Sequence, residues 1–252
     1  MASSETSRVV EVAVGLDVFA DVAADHVFDA AARAVRARGT FRVALAGGST
    51  PRRVHAAIVA DARSRGHEVE AWDVWFGDER CVPPDDAESN FRMADETLLS
   101  RLATRPRVHR VPTERGGPAQ VAAAYEADLA EAFGLRPGER PRFDLVLLGL
   151  GADGHTASLF PGDPVLAERS RLVAAVRGPK PPPDRVTFTL PVLCAAREVL
   201  FLVTGAEKAA AVRDALEPGV VAGLPAGRVI PEAGRVVWLV EYEASRLLPA
   251  SG

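Results

Sequence analysis

The sequence predicts an α/β protein whose mostly parallel sheet is flanked by helices. Strand-length apolar runs alternate with helical segments along the whole chain. One of those runs, 143–148, is almost continuously apolar, as strands buried on both faces are. Polar, glycine-containing loops close several of the runs, where a strand hands over to a helix.

A short strand is expected over 8–12, followed by an Ala-rich helix over about 18–38 with Val22, Val27 and Val35 among its apolar positions. The apolar run 41–46 stops at Gly47-Gly48-Ser49-Thr50-Pro51, where a helix over 51–63 begins with proline in its first turn. The run 69–77 reads as a strand ending at Asp78-Glu79-Arg80, and a polar loop, 83–89, leads into a helix over about 90–103. A short strand at 107–111 and a helix at 118–133 precede the strand at 143–148, which the glycine-rich loop 149–155 ends. A strand at 171–176 leads to GPKPPP, residues 178–183, a composition that excludes regular structure. Beyond it come a strand at 185–188, a helical turn at 191–196, a strand at 199–203 with its helix at 206–216, a last strand at 236–240 and a closing helix at 241–248. No internal repeat or low-complexity linker interrupts this order. A single domain over 1–252 is expected, with its core at about 8–248; the loop 178–183 is the one boundary after which a small subdomain fits.

The 252 residues suffice for one large α/β domain with a real core, and 48% hydrophobic with 25% charged residues is ordinary globular composition. A formal net charge of -4 argues against a double-stranded nucleic-acid partner, which needs a basic face. The N-terminus carries no signal-peptide pattern and the longest apolar stretches are of strand length, so no membrane span is expected and the protein is read as cytoplasmic. Cys81 and Cys194 lack metal-ligand spacing and read as two buried thiols. Trp72, Trp75 and Trp238 read as core, and His26, His55, His67 and His109 as structural or exposed.

Ligands of parallel α/β sheets bind at the C-terminal ends of strands. Three polar clusters fall there: 47–50, 78–80 and 149–155. The first offers backbone N–H groups at a helix start plus two hydroxyls, which suits a phosphate monoester; it has neither the Walker A spacing nor GxGxxG. GLGADGH matches GxGxxG literally, but Pro161-Gly162 interrupts the helix a dinucleotide site requires. His155 supplies an imidazole, the side chain suited to general-base work near neutral pH, and Asp153 lies two residues before it; a carboxylate that reaches the ring would hold its tautomer and orientation, but the contact itself is not legible in the sequence. Arg80 suits a phosphate or a developing oxyanion. Lys180, stiffened by the prolines around it, and Lys208, after the 199–203 strand, are further cations for an anionic substrate. Read singly, each cluster also fits a plain turn, a loop histidine or a solvated charged run. Their common position at strand ends is what points to a site.

Four blocks in order carry a resemblance: LAGGSTP (45–51), WFGDERCVPPDDAESNFRMA (75–94), FDLVLLGLGADGHTASLFPG (143–162) and KPPPDRVTFTLPVLCAAREVLFLVTGAEKA (180–209). Over about residues 15 to 245 the chain resembles the 6-phosphogluconolactonases. The resemblance implies a Rossmann-like parallel sheet, related to that of the glucosamine-6-phosphate deaminases. It also implies hydrolysis of 6-phospho-D-glucono-1,5-lactone to 6-phospho-D-gluconate, in the oxidative pentose phosphate pathway, without cofactor or metal. By the same resemblance His155 acts on water, Arg80 matches the arginine of the DER motif, Gly47, Gly48, Ser49 and Thr50 bind phosphate, and Lys180 and Lys208 contribute cations. From the residues themselves, Asp78 is added to the expected substrate-binding set and Asp153 to the expected catalytic one. Ala46 stands where the family often has serine. The implied partner is a small phosphorylated sugar lactone, with no nucleic acid and no membrane, and the expected state is a monomer or weak homo-oligomer.

Two other readings stand beside this one. A deaminase-like enzyme needs a carboxylate five residues after the histidine, where this chain has Phe160, and a tyrosine where it has Arg80. A non-catalytic sugar-phosphate-binding protein would lose His155 or Arg80. Within hydrolysis, Ser158 is an alternative nucleophile, but it lies in no GxSxG elbow.

Overall fold

The structure is a computed structural model that describes residues 7–217 and 223–249. The N-terminal stretch 1–6, read for a signal pattern, and both ends of the expected 1–252 domain lie outside the described residues. In chain order the strands are β1 (Ser7–Ala13), β2 (Phe41–Leu45), β3 (Trp72–Phe76), β4 (Asp78–Arg80), β5 (Arg107–Val108), β6 (Leu145–Gly149), β7 (Val173–Arg177), β8 (Asp184–Phe188), β9 (Glu198–Val203) and β10 (Arg235–Glu241). The α-helices are α1 (Leu16–Arg38), α2 (Ser49–Arg65), α3 (Asn90–Thr97), α4 (Pro118–Phe133), α5 (Leu190–Cys194), α6 (Ala209–Leu216) and α7 (Tyr242–Ser245).

Among the described residues, seven strands form one sheet in the order β1-β10-β9-β6-β2-β3-β5, parallel throughout. Every residue of β3 and β9 is buried, which is why their sequences read as unbroken apolar runs with few polar positions. The core is centred on these strands: Trp72, Trp75 and Trp238 are all buried, and Phe201 stacks on Trp238 at 4.0 Å across the β9–β10 pair. Helix α1 explains its alanine content by packing. It buries Ala20, Ala23, Ala24, Ala30, Ala31 and Ala34 together with Phe19, Val27 and Phe28. Val35, read as an apolar-face position, is instead 38% exposed.

The strand order fixes where a ligand can bind. From β2 the chain moves outward through β3 to β5, then returns to β2's other side at β6 and continues outward through β9 to β10. The loops after β2 and β6 therefore leave in opposite directions and open a crevice at the switch point.

A second, three-stranded sheet in the order β4-β8-β7 is antiparallel. This revises the expected layout in two ways. The polar triplet 78–80 is a short strand and not the end of a loop, and the small subdomain draws on residues before 178–183 as well as after. Gly77 is the junction: its N–H donates to Leu45 O at 3.0 Å in the first sheet, and its carbonyl accepts from Phe188 N at 2.8 Å in the second. Helix α4 fastens the two sheets together. Tyr125 Oη accepts from Phe76 N at 2.9 Å, while Glu126 accepts from Leu172 N at 2.8 Å and Val173 N at 2.9 Å. Elsewhere the helix expected over 90–103 stops at Thr97 and gives way to a 3₁₀ turn, Leu99–Arg101, and the strand expected at 107–111 shrinks to Arg107–Val108.

Cys81 and Cys194 are free and half-buried, and burial lifts the Cys81 thiol to about 11, which leaves it a poor nucleophile. The histidines outside the 149–155 loop have structural partners: His26 bonds Glu11 at 2.8 Å, His67 stacks on Phe28 at 4.0 Å, and His109 bonds Asp73 at 2.6 Å while stacking on Trp75 at 3.9 Å. Among the described residues no helix is long and apolar enough to cross a membrane.

His55, fully buried in α2, hydrogen-bonds Thr97 Oγ1 at 2.8 Å. Burial, helped by Arg52, lowers its pKa from 6.5 to about 4. The folded state therefore resists a proton that the unfolded chain accepts. The His55 contribution to stability should be fully present above about pH 6.5, and its loss should cost about 3 kcal/mol as pH drops to about 4. In urea unfolding across this range, the stability of wild type relative to His55→Gln should fall by that amount; a constant difference between the two would contradict it.

Candidate active site

The crevice at the switch point contains a cavity of about 230 Å³. Its walls come from all three predicted loops: residues 47–50, Asp78 with Arg80, and Gly149, Gly151 and His155. Lys208 also lines it, whereas Lys180 is exposed on the loop between β7 and β8 and is not among the lining residues.

Helix α2 starts at Ser49 with Gly48 as its N-cap, and no side chain caps it. Its first N–H groups therefore have no side-chain cap, their residues Ser49 and Thr50 line the cavity, and the positive end of the helix dipole lies at this terminus. Thr50 Oγ1 lies 2.7 Å from Thr204 Oγ1, so the helix start meets the end of β9, four residues before Lys208. Gly47 is required by close approach: a Cβ there would lie 1.9 Å from Asn90 Oδ1.

Asn90 is held in turn by Asp78. Its Nδ2 donates to Asp78 O at 2.9 Å and to Asp78 Oδ1 at 3.4 Å. The other oxygen, Asp78 Oδ2, accepts from Ser158 Oγ at 2.6 Å. Ser158 is 0% exposed and committed to that bond, so it is not placed as a nucleophile. Glu79, on the opposite side of β4, accepts from Asn90 N at 2.7 Å, Phe91 N at 2.8 Å and Ser89 Oγ at 3.1 Å, which pins the start of α3. Burial pushes its carboxyl up to about 6 against the pull of those donors.

The loop after β6 folds on itself. Gly151 N donates to His155 O at 2.8 Å, and Thr156 Oγ1 to Gly149 O at 2.8 Å. His155 Nδ1 sits 2.5 Å from Asp153 Oδ1, and that same oxygen accepts the His155 backbone N–H at 3.1 Å. Burial raises the Asp153 pKa, but the hydrogen bonds and charge of His155 outweigh it and hold the carboxyl below its ordinary value. An ionised Asp153 can only accept, so Nδ1 carries the proton and Nε2 keeps its lone pair. The ring packs so closely on the loop that a Cβ at Gly151 would lie 2.0 Å from Nδ1. Phe160 supports the ring from one side, with centroids 4.9 Å apart. A base with a free lone pair, an uncapped helix start and a guanidinium thus share one crevice, an arrangement able to hold a phosphate and deprotonate water.

Three polar lining residues escaped the sequence reading: Asn90, Arg185 and Thr204. Asn90 and Arg185 lie inside the recognised blocks, but Arg185 reaches the cavity from β8 and Asn90 from the start of α3, where it is held by Asp78 of β4, placements that local spacing does not reveal. Thr204 immediately follows β9, a position the strand-end rule could have flagged.

The family model described as glucosamine-6-phosphate isomerases/6-phosphogluconolactonase matches residues 16–238. The chain is similar to the 6-phosphogluconolactonase of Homo sapiens, 42% identical over 215 residues that span 84% of this chain and 82% of the human one. It is 37% identical over 242 residues to the 6-phosphogluconolactonase of Streptomyces coelicolor, covering 93% and 92% of the two chains. Among solved structures, the 6-phosphogluconolactonase from Trypanosoma brucei superposes with a TM-score of 0.86 at 29% identity, over 97% of this chain and all of that one.

Removing the Ser158 hydroxyl would leave the buried Asp78 carboxylate without its 2.6 Å donor. Ser158→Ala should therefore lower unfolding free energy by about 1–3 kcal/mol in urea titration. An unchanged midpoint would show that the Asp78–Ser158 bond does not hold the loops.

Proposed function

The chain belongs to the glucosamine-6-phosphate isomerase/6-phosphogluconolactonase family, and we propose that its switch-point cavity performs general-base hydrolysis with His155 as the base. The activity itself is conversion of 6-phosphogluconolactone to 6-phosphogluconate, as in relatives matched over more than four-fifths of both chains, such as the human lactonase at 84% and 82%. The observation that carries the mechanism is the 2.5 Å Asp153–His155 bond at the end of β6, beside the uncapped start of α2.

The 6-phosphate of the 1,5-lactone docks on the backbone N–H groups and hydroxyls of residues 47–50. Lys208 is the favoured partner cation, because it lines the cavity and Lys180 does not. Anchoring that end brings C1 to His155, which replaces a bimolecular encounter by a fixed geometry. Nε2 takes a proton from water as the water oxygen bonds to C1 and the carbonyl electron pair moves onto its oxygen. Arg80 stabilises that oxyanion. When the pair returns, the bond from C1 to the ring oxygen breaks and the imidazolium gives its proton to the leaving oxygen. The free acid then loses a proton to become the carboxylate. Asp153 holds the tautomer and steadies the imidazolium; Asp78 acts by holding the walls in register. Neither water, phosphate nor leaving group needs any group outside this set. We place the enzyme in the cytoplasm as a monomer or weak homo-oligomer acting on a free small molecule.

Deaminase chemistry is disfavoured at one position. Phe160, which cannot titrate, packs on the His155 ring where the related enzymes need a carboxylate. A purely binding role leaves the oriented His155–Asp153 pair without purpose.

Freshly generated lactone should be hydrolysed well above its spontaneous rate in an assay coupled to 6-phosphogluconate dehydrogenase. His155→Gln should lose about 10²- to 10⁴-fold in kcat while KM stays within a few-fold. Near-normal kcat in that variant would remove the general base from the mechanism.

A further inference from the structure

Strands β4 and β8 pair antiparallel with Arg80 directly opposite Arg185. Two like charges facing each other across a strand pair repel. Here burial, with the Arg80 charge next, holds the Arg185 pKa below its ordinary value. Acidic neighbours do not cancel the pair. Glu88, itself exposed, approaches Arg80 Nη1 to 3.6 Å, and the Asp78 carboxylate nearby is occupied by Ser158 and Asn90. Among the described residues Arg185 makes no ion pair. Its Nε donates to Pro182 O at 3.3 Å and its Nη2 to Lys180 O at 3.4 Å. Arg80 Nε is buried without a hydrogen-bond partner. Both guanidiniums line the cavity.

The pair sits at the His155 end. The Arg185 guanidinium carbon lies 5.7 Å from the Phe160 ring centroid, and that ring packs on His155. A separate set of lining groups, the α2 start, Thr50 against Thr204 and Lys208, is already furnished for a phosphate. One cavity therefore offers two anion sites, whereas the lactone carries one anion. The second anion is the one the reaction creates.

We propose that Arg185 contacts the substrate, forming with Arg80 a two-guanidinium clamp that holds the C1 oxyanion and then the C1 carboxylate of the product. This rests on the lactonase reading. As the water oxygen bonds to C1, the carbonyl pair moves onto the oxygen held by the clamp. When that pair returns and the ring oxygen leaves with the proton from His155, the clamp is left holding the carboxylate once the acid has ionised. The planar forks suit both species, and the facing charges are reconciled only when an anion lies between them.

Calorimetric titration distinguishes the clamp from a phosphate site. Wild type, Arg185→Ala and Arg185→Lys are titrated with 6-phosphogluconate and with glucitol 6-phosphate, which has the same phosphate but CH₂OH at C1. Arg185→Ala should bind 6-phosphogluconate about tenfold more weakly or worse, with glucitol 6-phosphate changed by less than about twofold. Arg185→Lys, which keeps the charge but not the fork and guards against loss of folding, should recover only part of that affinity. The kcat of Arg185→Ala should fall by about 10²-fold. Equal loss for both ligands would assign Arg185 to the phosphate, and unchanged affinity for both would remove it from the site; either overturns the clamp. Wild-type protein that hydrolyses no lactone and binds neither ligand would instead overturn the lactonase reading beneath it.

Discussion

The Asp78 carboxylate accepts from Ser158 and, more weakly, from Asn90, and in that buried corner three loops far apart in sequence meet. Ser158 belongs to the loop that carries His155. Asn90 packs against Gly47 of the loop between β2 and α2, and Asp78 itself is two residues from Arg80. A carboxylate with 7% exposure is costly unless its oxygens are satisfied, so the corner either closes completely or not at all. Closing it sets His155, the start of α2 and Arg80 in one register. The side chains proposed to do the chemistry can then remain partly exposed: that of His155 is 32% exposed, which leaves it open to substrate and water.

Beneath this corner the two sheets do different work. The parallel sheet supplies the switch point and the strand ends from which the loops leave. The antiparallel sheet carries no loop of its own into the crevice; it brings two arginines to the wall through β4 and β8. Glu79 anchors β4 to the start of α3, and Gly77 joins the sheets through one bond to each. The chain as a whole is acidic, at -4, yet its cavity collects Arg80, Arg185, Lys208 and a helix N-terminus. Net charge bears on which macromolecules are excluded, and the local field decides which small anion is admitted.

Much of this was legible in the residues, and the limits are physical. The strands of the parallel sheet are visible because burial on both faces demands unbroken apolar runs. The loops are visible because strand ends that bind ligands need glycine and polar side chains together. The two-residue separation of Asp153 and His155 was visible, but their contact was not, because it depends on how the loop folds back on itself. The triplet 78–80 was not legible as a strand, since its partners, β8 and Gly77, lie outside any local window. For the same reason Arg185 and Asn90 were passed over and Lys180 was given a place it does not take at the cavity wall. Ser158 could be read as a nucleophile only while its bond to a residue 80 positions away was unknown.

The central claim is one of orientation: phosphate at the helix end, reacting carbon at the histidine. A crystal structure of the protein with 6-phosphogluconate tests it directly. The account predicts the phosphate on the first N–H groups of α2 near Lys208, the C1 carboxylate between Arg80 and Arg185, and C1 next to His155 Nε2. A phosphate seated between the two arginines, or a C1 turned away from His155, would contradict it.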